Sequence, residues 1–277
     1  RLPTLSAGRI VVVCVRWSAM RRAILILTLL WMLPIGHGLR AQADAGEFTL
    51  TSSLAAELGD AAALVASINP PEAPISWQVY VPRAYDPSRP AGLLVYISPI
   101  PSGRLPERWE TVLESQNLIW VSANDAGNAV HVQRRALLAI MAPTVIGGRY
   151  ALDPGRVYLA GLSGGGKIAS MVATDHAHVF RGAIFICGVE FWDSPPRRLE
   201  QIRGNRYVFL TGEHDQALRP TRRAYSRYRK AGVSNVELMV IDGMGHENPD
   251  AADLARAIAF LDATPGLAVD SAEQDPG

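Results

Sequence analysis

Cysteine is almost absent from this chain of 277 residues. Only Cys14 and Cys187 occur, which excludes a disulfide-stapled scaffold and any four-cysteine zinc site. No His/Asp/Glu grouping has metal-ligand spacing, so neither a metal nor another cofactor is expected. No apolar run approaches the roughly 20 residues that span a bilayer. Charge is sparse at 19%, but 48% hydrophobic residues exclude a disordered chain. Acidic residues are missing altogether from residues 1–43, which hold six of the 27 basic residues. The remaining 21 face 26 acidic groups, a net of −5 over residues 44–277. A domain of that sign lacks the basic footprint of a nucleic-acid binder.

The leader is informative. Met20, Arg21 and Arg22 precede eleven residues, Ala23–Leu33, broken only by Thr28, and Pro34, Gly36, Gly38 and Ala41-Gln42-Ala43 follow. A charged start, a short apolar run and an A-x-A site read as a secretory signal peptide cut after Ala43, with Met20 as the true start and residues 1–19 upstream of it. The expected location is secreted or periplasmic, with no membrane attachment once the leader is gone.

Residues 44–75 are Ala-rich and end in Asn69-Pro70-Pro71-Glu72-Ala73-Pro74. They read as an N-terminal extension with a helix over Leu54–Ile68, then a linker. From Ser76 the pattern becomes regular. Trp77, Val79 and Val81 alternate with Gln78 and Tyr80, which predicts a half-buried strand. The apolar runs Leu93–Ser98, Leu118–Ser122, Val157–Ala160, Ala183–Cys187 and Tyr207–Leu210 do not alternate, as in strands buried on both faces of a parallel sheet. Helical spacing falls at His131–Met141, Gly164–Ala173, Ala217–Ala231 and Ala251–Leu261, and Asn235–Ile241 is a last strand. Residues 76–264 therefore predict one doubly wound α/β domain, its mostly parallel sheet covered on both faces, and 265–277 a flexible tail.

Chemistry concentrates where a buried strand runs into Gly161-Leu162-Ser163-Gly164-Gly165 and a helix follows at once. This is a nucleophile-elbow pattern: a sharp turn lifts the Ser163 hydroxyl above the strand end, and the Gly164 N–H with the helix dipole faces a developing oxyanion. Gly161-x4-Gly166-Lys167 also approaches a phosphate-binding loop, but Ile168 stands where that motif needs Ser or Thr for Mg²⁺. Two later strands end in Glu213-His214-Asp215 and in Gly243-Met244-Gly245-His246. The order Ser163, Asp215, His246 suits a nucleophile, acid and base on successive strand ends, with Glu213 and Asp242 as fallback acids. Phe191 and Trp192 leave a strand at the same end of the sheet and are candidates to line a substrate pocket, or else cover the core. Cys187, in an apolar run, reads as an inert buried thiol.

These stretches, with Val79-Tyr80-Val81-Pro82, Tyr85-Asp86-Pro87, Arg134-Arg135-Ala136-Leu137-Leu138 and Asp153-Pro154-Gly155-Arg156-Val157, resemble secreted α/β-hydrolases of the esterase type related to polyhydroxybutyrate depolymerases and feruloyl esterases. The likeness covers about residues 76–262. It implies an α/β-hydrolase fold with a short lid, Ser163 as nucleophile, Asp215 as acid, His246 as base, and a small-molecule or polymeric ester as substrate. One departure stands out. The family usually has His-Gly after its third strand, where the backbone supplies a second oxyanion donor. Here Ser98-Pro99-Ile100 follows, and Pro99 has no N–H, which leaves the Ile100 N–H for that part. A non-catalytic binding or scaffold protein with an impaired oxyanion hole, and a serine peptidase on the same fold, are the alternatives.

Overall fold

The computed structural model describes residues 44–191 and 199–263. The expectations for the leader, for Trp192 and for the tail lie outside the described residues. Among those described, eight strands form one sheet: β1 (Gly46–Ser53), β2 (Pro74–Val81), β3 (Ala91–Ile97), β4 (Leu118–Ala123), β5 (Leu152–Leu162), β6 (Gly182–Ile186), β7 (Arg206–Gly212) and β8 (Val236–Ile241). Their order is β1-β2-β4-β3-β5-β6-β7-β8. β3 to β8 pair in parallel, and only β2 runs against its neighbours β1 and β4.

The helices are α1 (Leu54–Leu58), α2 (Glu110–Ser115), α3 (Val132–Gly147), α4 (Gly164–Asp175), α5 (Leu199–Gly204), α6 (Leu218–Lys230) and α7 (Ala251–Asp262). α3, α4 and α6 join the core on one face of the sheet, around Leu93, Val121, Leu159 and Phe209. α2 and α7 cover the other face, around Leu94, Trp120, Ile184 and Leu210. Both faces of the central strands are therefore dry, which explains their unbroken apolar sequence.

Residues 44–75 differ from the extension and linker expected of them. β1 pairs with β2 over eight residues, from Gly46 opposite Val81 to Ser53 opposite Pro74. Leu54 and Val65 are buried in the same core as Trp77. Ala-rich composition hid a strand whose buried positions are few, because it lies at the sheet edge. The expected helix over Leu54–Ile68 is α-helical only to Leu58, and a 3-10 helix continues over Gly59–Val65. Gly59 breaks it at φ 53°. Tyr80, predicted on the wet side of β2, is buried. Glu114, at the end of α2, accepts a hydrogen bond from its hydroxyl at 2.8 Å. α3 runs past the expected end, through Pro143, to Gly147.

The sheet order decides where a site can form. β4 lies on one side of β3 and β5 on the other, so the connections leaving β3 and β5 diverge and open a crevice above the carboxyl ends of the strands. The loops after β3, β5, β6, β7 and β8 all meet at that end.

Candidate active site

Ser163 stands between the end of β5 and the start of α4 with φ 57° and ψ −118°. This conformation is disfavoured for a residue with a side chain, at a cost of about 1–3 kcal/mol held by the surrounding fold. The close approach around the turn is what demands glycine. A Cβ on Gly165 would sit 1.8 Å from the Ile97 carbonyl oxygen, and one on Gly161 would sit 2.5 Å from the Gly165 carbonyl carbon. The Ser163 N–H donates to Ile186 O at 2.8 Å, and its carbonyl accepts from Lys167 N at 3.1 Å as the first turn of α4 closes. The earlier N–H groups of that turn, Gly164 among them, have no acceptor within the helix, as at any helix N-terminus.

Asp215 and His246 meet although 31 residues separate them. His246 Nδ1 lies 2.8 Å from Asp215 Oδ1. The carboxylate also accepts from Ala217 N at 2.8 Å and from the Thr211 hydroxyl at 3.1 Å. Asp215 is 5% exposed, while the imidazole stays accessible at 36%. Burial pushes the Asp215 carboxyl up, but the Ala217 N–H, the Cys187 thiol and His246 together outweigh it and hold the group below the ordinary carboxylate range. The fallback acids do not compete: Glu213 and Asp242 are exposed, and Glu213 accepts from Gly243 N at 3.3 Å.

The loop carrying His246 is pinned along its length. His214 N donates to Met244 O at 3.1 Å. The Tyr96 hydroxyl donates to Asn248 Oδ1 at 2.8 Å, and the Trp109 indole donates to Pro249 O at 3.0 Å. Cys187 completes this support. Its thiol approaches Glu247 O at 3.6 Å and Gly245 O at 3.9 Å. The residue is buried, as its apolar run predicted, and holds an unusual φ of 52°. Burial, with the neighbouring Asp215 carboxylate, pushes its thiol up to about 12, so it is no thiolate nucleophile at neutral pH. Sequence reading found the burial but missed the contact with the acid, which needs β6, β7 and the loop after β8 side by side.

Cys187 Sγ, an Asp215 oxygen and a His246 ring nitrogen lie within 4.8 Å of one another. Spacing along the chain did not foresee this potential metal-ligand grouping, since each residue comes from a different loop. Its Asp215 and His246 atoms are already bonded to each other.

The neighbouring strand end links Ser163 to the pair: Ile186 holds the Ser163 backbone, and the next residue, Cys187, touches the pair. Among the described residues no hydrogen bond joins Ser163 Oγ to His246, a link that often tightens only when substrate binds. The other expected site residues fare unevenly. Gly164 follows Ser163 at the helix start. The Ile100 N–H already donates to Ser98 Oγ at 3.2 Å, and the Ile100 side chain is 54% exposed. Phe191 packs edge-on against Tyr228 at 5.6 Å, with the Arg227 guanidinium 3.8 Å above its ring, so its ring covers α6.

A strained serine at a helix N-terminus and an imidazole fixed by a buried carboxylate, carried at the same end of one sheet, are the kinds of group that acyl transfer uses. A model of the prolyl oligopeptidase family matches residues 142–270, a span that includes Ser163, Asp215 and His246. None of the curated proteins matches the chain. Among solved structures, a ferulic acid esterase is similar at 14% identity and a TM-score of 0.57, over 79% of this chain and 98% of that one. A poly(3-hydroxybutyrate) depolymerase from Bordetella parapertussis is similar at 17% identity and 0.51, over 77% and 94%. Dipeptidyl peptidase 4 from Porphyromonas gingivalis is similar at 19% identity and 0.52, over 69% of this chain and 33% of that one. Together with the sheet order and the elbow, these likenesses establish the α/β-hydrolase fold, and with the family match they support a serine hydrolase.

Proposed function

We propose that this serine hydrolase of the α/β-hydrolase fold cleaves carboxylic esters through Ser163, His246 and Asp215, after export by its leader. The observation that carries the reading is the strained Ser163 turn at the start of α4, with the 2.8 Å Asp215–His246 pair on the loops after β7 and β8 at the same end of the sheet and only β6 between β5 and β7. Ser163 Oγ adds to the ester carbonyl as His246 Nε2 takes its proton. The tetrahedral adduct collapses, the alkoxide leaves with that proton, and an acyl-serine remains. His246 then draws a proton from water, hydroxide equivalent adds to the acyl group, and the acid departs as Ser163 regains its hydrogen. Asp215 keeps the imidazole in the tautomer with its proton on Nδ1 and balances the imidazolium as it forms.

Ester rather than amide cleavage is supported by the extent of the likenesses. The ferulic acid esterase and the depolymerase are matched over nearly their whole lengths, the dipeptidyl peptidase over a third. The prolyl oligopeptidase family match favours a second reading, peptide cleavage by the same three residues.

The deciding experiment compares the parent protein with Ser163→Ala on short p-nitrophenyl esters, feruloyl esters, hydroxybutyrate oligomers and peptide p-nitroanilides. A loss of at least about 10³-fold in kcat on esters is expected. Equal hydrolysis by parent and variant ends the assignment, and turnover confined to p-nitroanilides selects the peptidase. No turnover and no fluorophosphonate labelling of folded parent identifies a non-catalytic scaffold.

A further inference from the structure

The site as described has one oxyanion donor too few. The Gly164 N–H follows the nucleophile at the start of α4, but the loop after β3 contributes nothing at Pro99, which has no N–H, and its Ile100 N–H is held by Ser98 Oγ at 3.2 Å. Pro101 adds no donor either.

The next loop, after β4, is packed onto that defective one. Asn128 N donates to Pro99 O at 2.8 Å, and Asp125 N to Pro101 O at 2.7 Å. A Cβ on Gly127 would come within 2.6 Å of Ile100 C and Pro101 N, so the two loops touch backbone to backbone. α3 grips the β4 loop from behind: Arg135 Nε donates to Ala126 O at 2.7 Å, and Arg134 Nη1 bonds to Asp125 O. The loop is thus fixed on both sides.

Its last gripped residue points at the elbow. A Cβ built on Gly164 would lie 2.2 Å from Asn128 Oδ1, 2.9 Å from Cγ and 3.2 Å from Nδ2. The carboxamide therefore occupies the space over Gly164 Cα, next to the one oxyanion N–H. Among the described residues no hydrogen bond holds either end of this carboxamide, and the residue is exposed. A half-turn about its last torsion exchanges oxygen and NH₂ in that position.

We propose that the Asn128 carboxamide is the second oxyanion donor of this site, taking the part that the loop after β3 gives up at Pro99; this rests on the ester-hydrolase reading above. As Ser163 Oγ adds to the carbonyl, the C=O electron pair moves onto oxygen, and Gly164 N–H and Asn128 Nδ2–H donate to it. The pair returns to carbon as the alkoxide leaves, protonated by His246. A side-chain amide is chemically suited to this task because it is neutral, shifts no neighbouring pKa and donates along two directions.

The test uses Asn128→Ala and the equal-sized Asn128→Asp, which replaces the donor by an acceptor. Both are assayed with p-nitrophenyl butyrate and with an aryl trifluoromethyl ketone, whose serine adduct bears an oxyanion. The expected result is a kcat lower by about 10²-fold or more, a KM within threefold of parent, and a ketone inhibition constant raised by a similar factor. Should Asn128→Ala fail to fold, Asn128→Asp carries the same readings. A kcat and a ketone affinity within threefold of parent in a folded variant overturn the role of Asn128 alone. A parent that neither turns over esters nor reacts with a fluorophosphonate overturns the hydrolase reading, and the donor with it.

Discussion

At Asp215 two effects oppose each other, and the outcome sets how the site responds to acid. Burial favours the neutral carboxylic acid, while the Ala217 N–H, the Cys187 thiol and His246 favour the carboxylate and prevail. The folded protein therefore titrates this group below its unfolded value, near 3.9. Its stabilisation is fully present above that pH and is lost as pH falls through the folded value. Asp215→Asn should melt below the parent at pH 7, with the difference shrinking steadily below about pH 4. A thermal-melting series from pH 3 to 7 checks this, and an undiminished gap at pH 3 would contradict it. The same variant should hydrolyse p-nitrophenyl butyrate about 10⁴-fold more slowly at neutral pH, because the asparagine amide selects the wrong imidazole tautomer.

At the scale of elements, α3 stabilises the crevice from underneath. Arg135 is 4% exposed and has no carboxylate partner among the described residues. Its guanidinium instead bridges two main-chain carbonyls from different loops, Ala126 O at 2.7 Å and Ser98 O at 2.8 Å. Burial lowers its pKa, yet the planar fork stays charged at any ordinary pH. Lysine is a single point donor and spans only one of these carbonyls. Arg135→Lys should therefore cost about 1.5–3 kcal/mol, the worth of one charge-assisted bond. Guanidinium unfolding midpoints measure it, and a midpoint equal to the parent's would refute the bridging role. The spacing within Arg134-Arg135-Ala136-Leu137-Leu138 marked a helix, but not which arginine turns inward. That depends on where the helix meets two loops from other strands.

For the whole molecule, the edge of the sheet matters most. β1 and α1 complete β2 and bury Leu54 fully, and the Tyr150 hydroxyl donates to Asp44 O at 2.8 Å. Arg149, just past the end of α3, pairs with Glu57 at 2.9 Å. A chain beginning at residue 59 should lose more than the 2–5 kcal/mol typical of Leu→Ala in a core. It also bares the β2 edge to other copies. Size-exclusion chromatography and thermal melting should show association and a lowered Tm. A monomer melting with the parent would return residues 44–58 to the role of a dispensable extension.

The chain's local chemistry alone determined the layered α/β class, seven of the eight strands and the four long helices, because strand alternation, double-sided burial and helical periodicity are written residue by residue. It also singled out Ser163, Asp215 and His246, since a glycine-flanked turn and residues just past strand ends are local signals. Only the tertiary structure decided that Asp215 rather than Glu213 or Asp242 faces the imidazole, that Cys187 touches that pair, that Phe191 turns to α6, and that Asn128 lies against Gly164. Each of those contacts joins segments distant in sequence, and their distances follow from sheet order and loop packing, which no stretch of residues carries by itself.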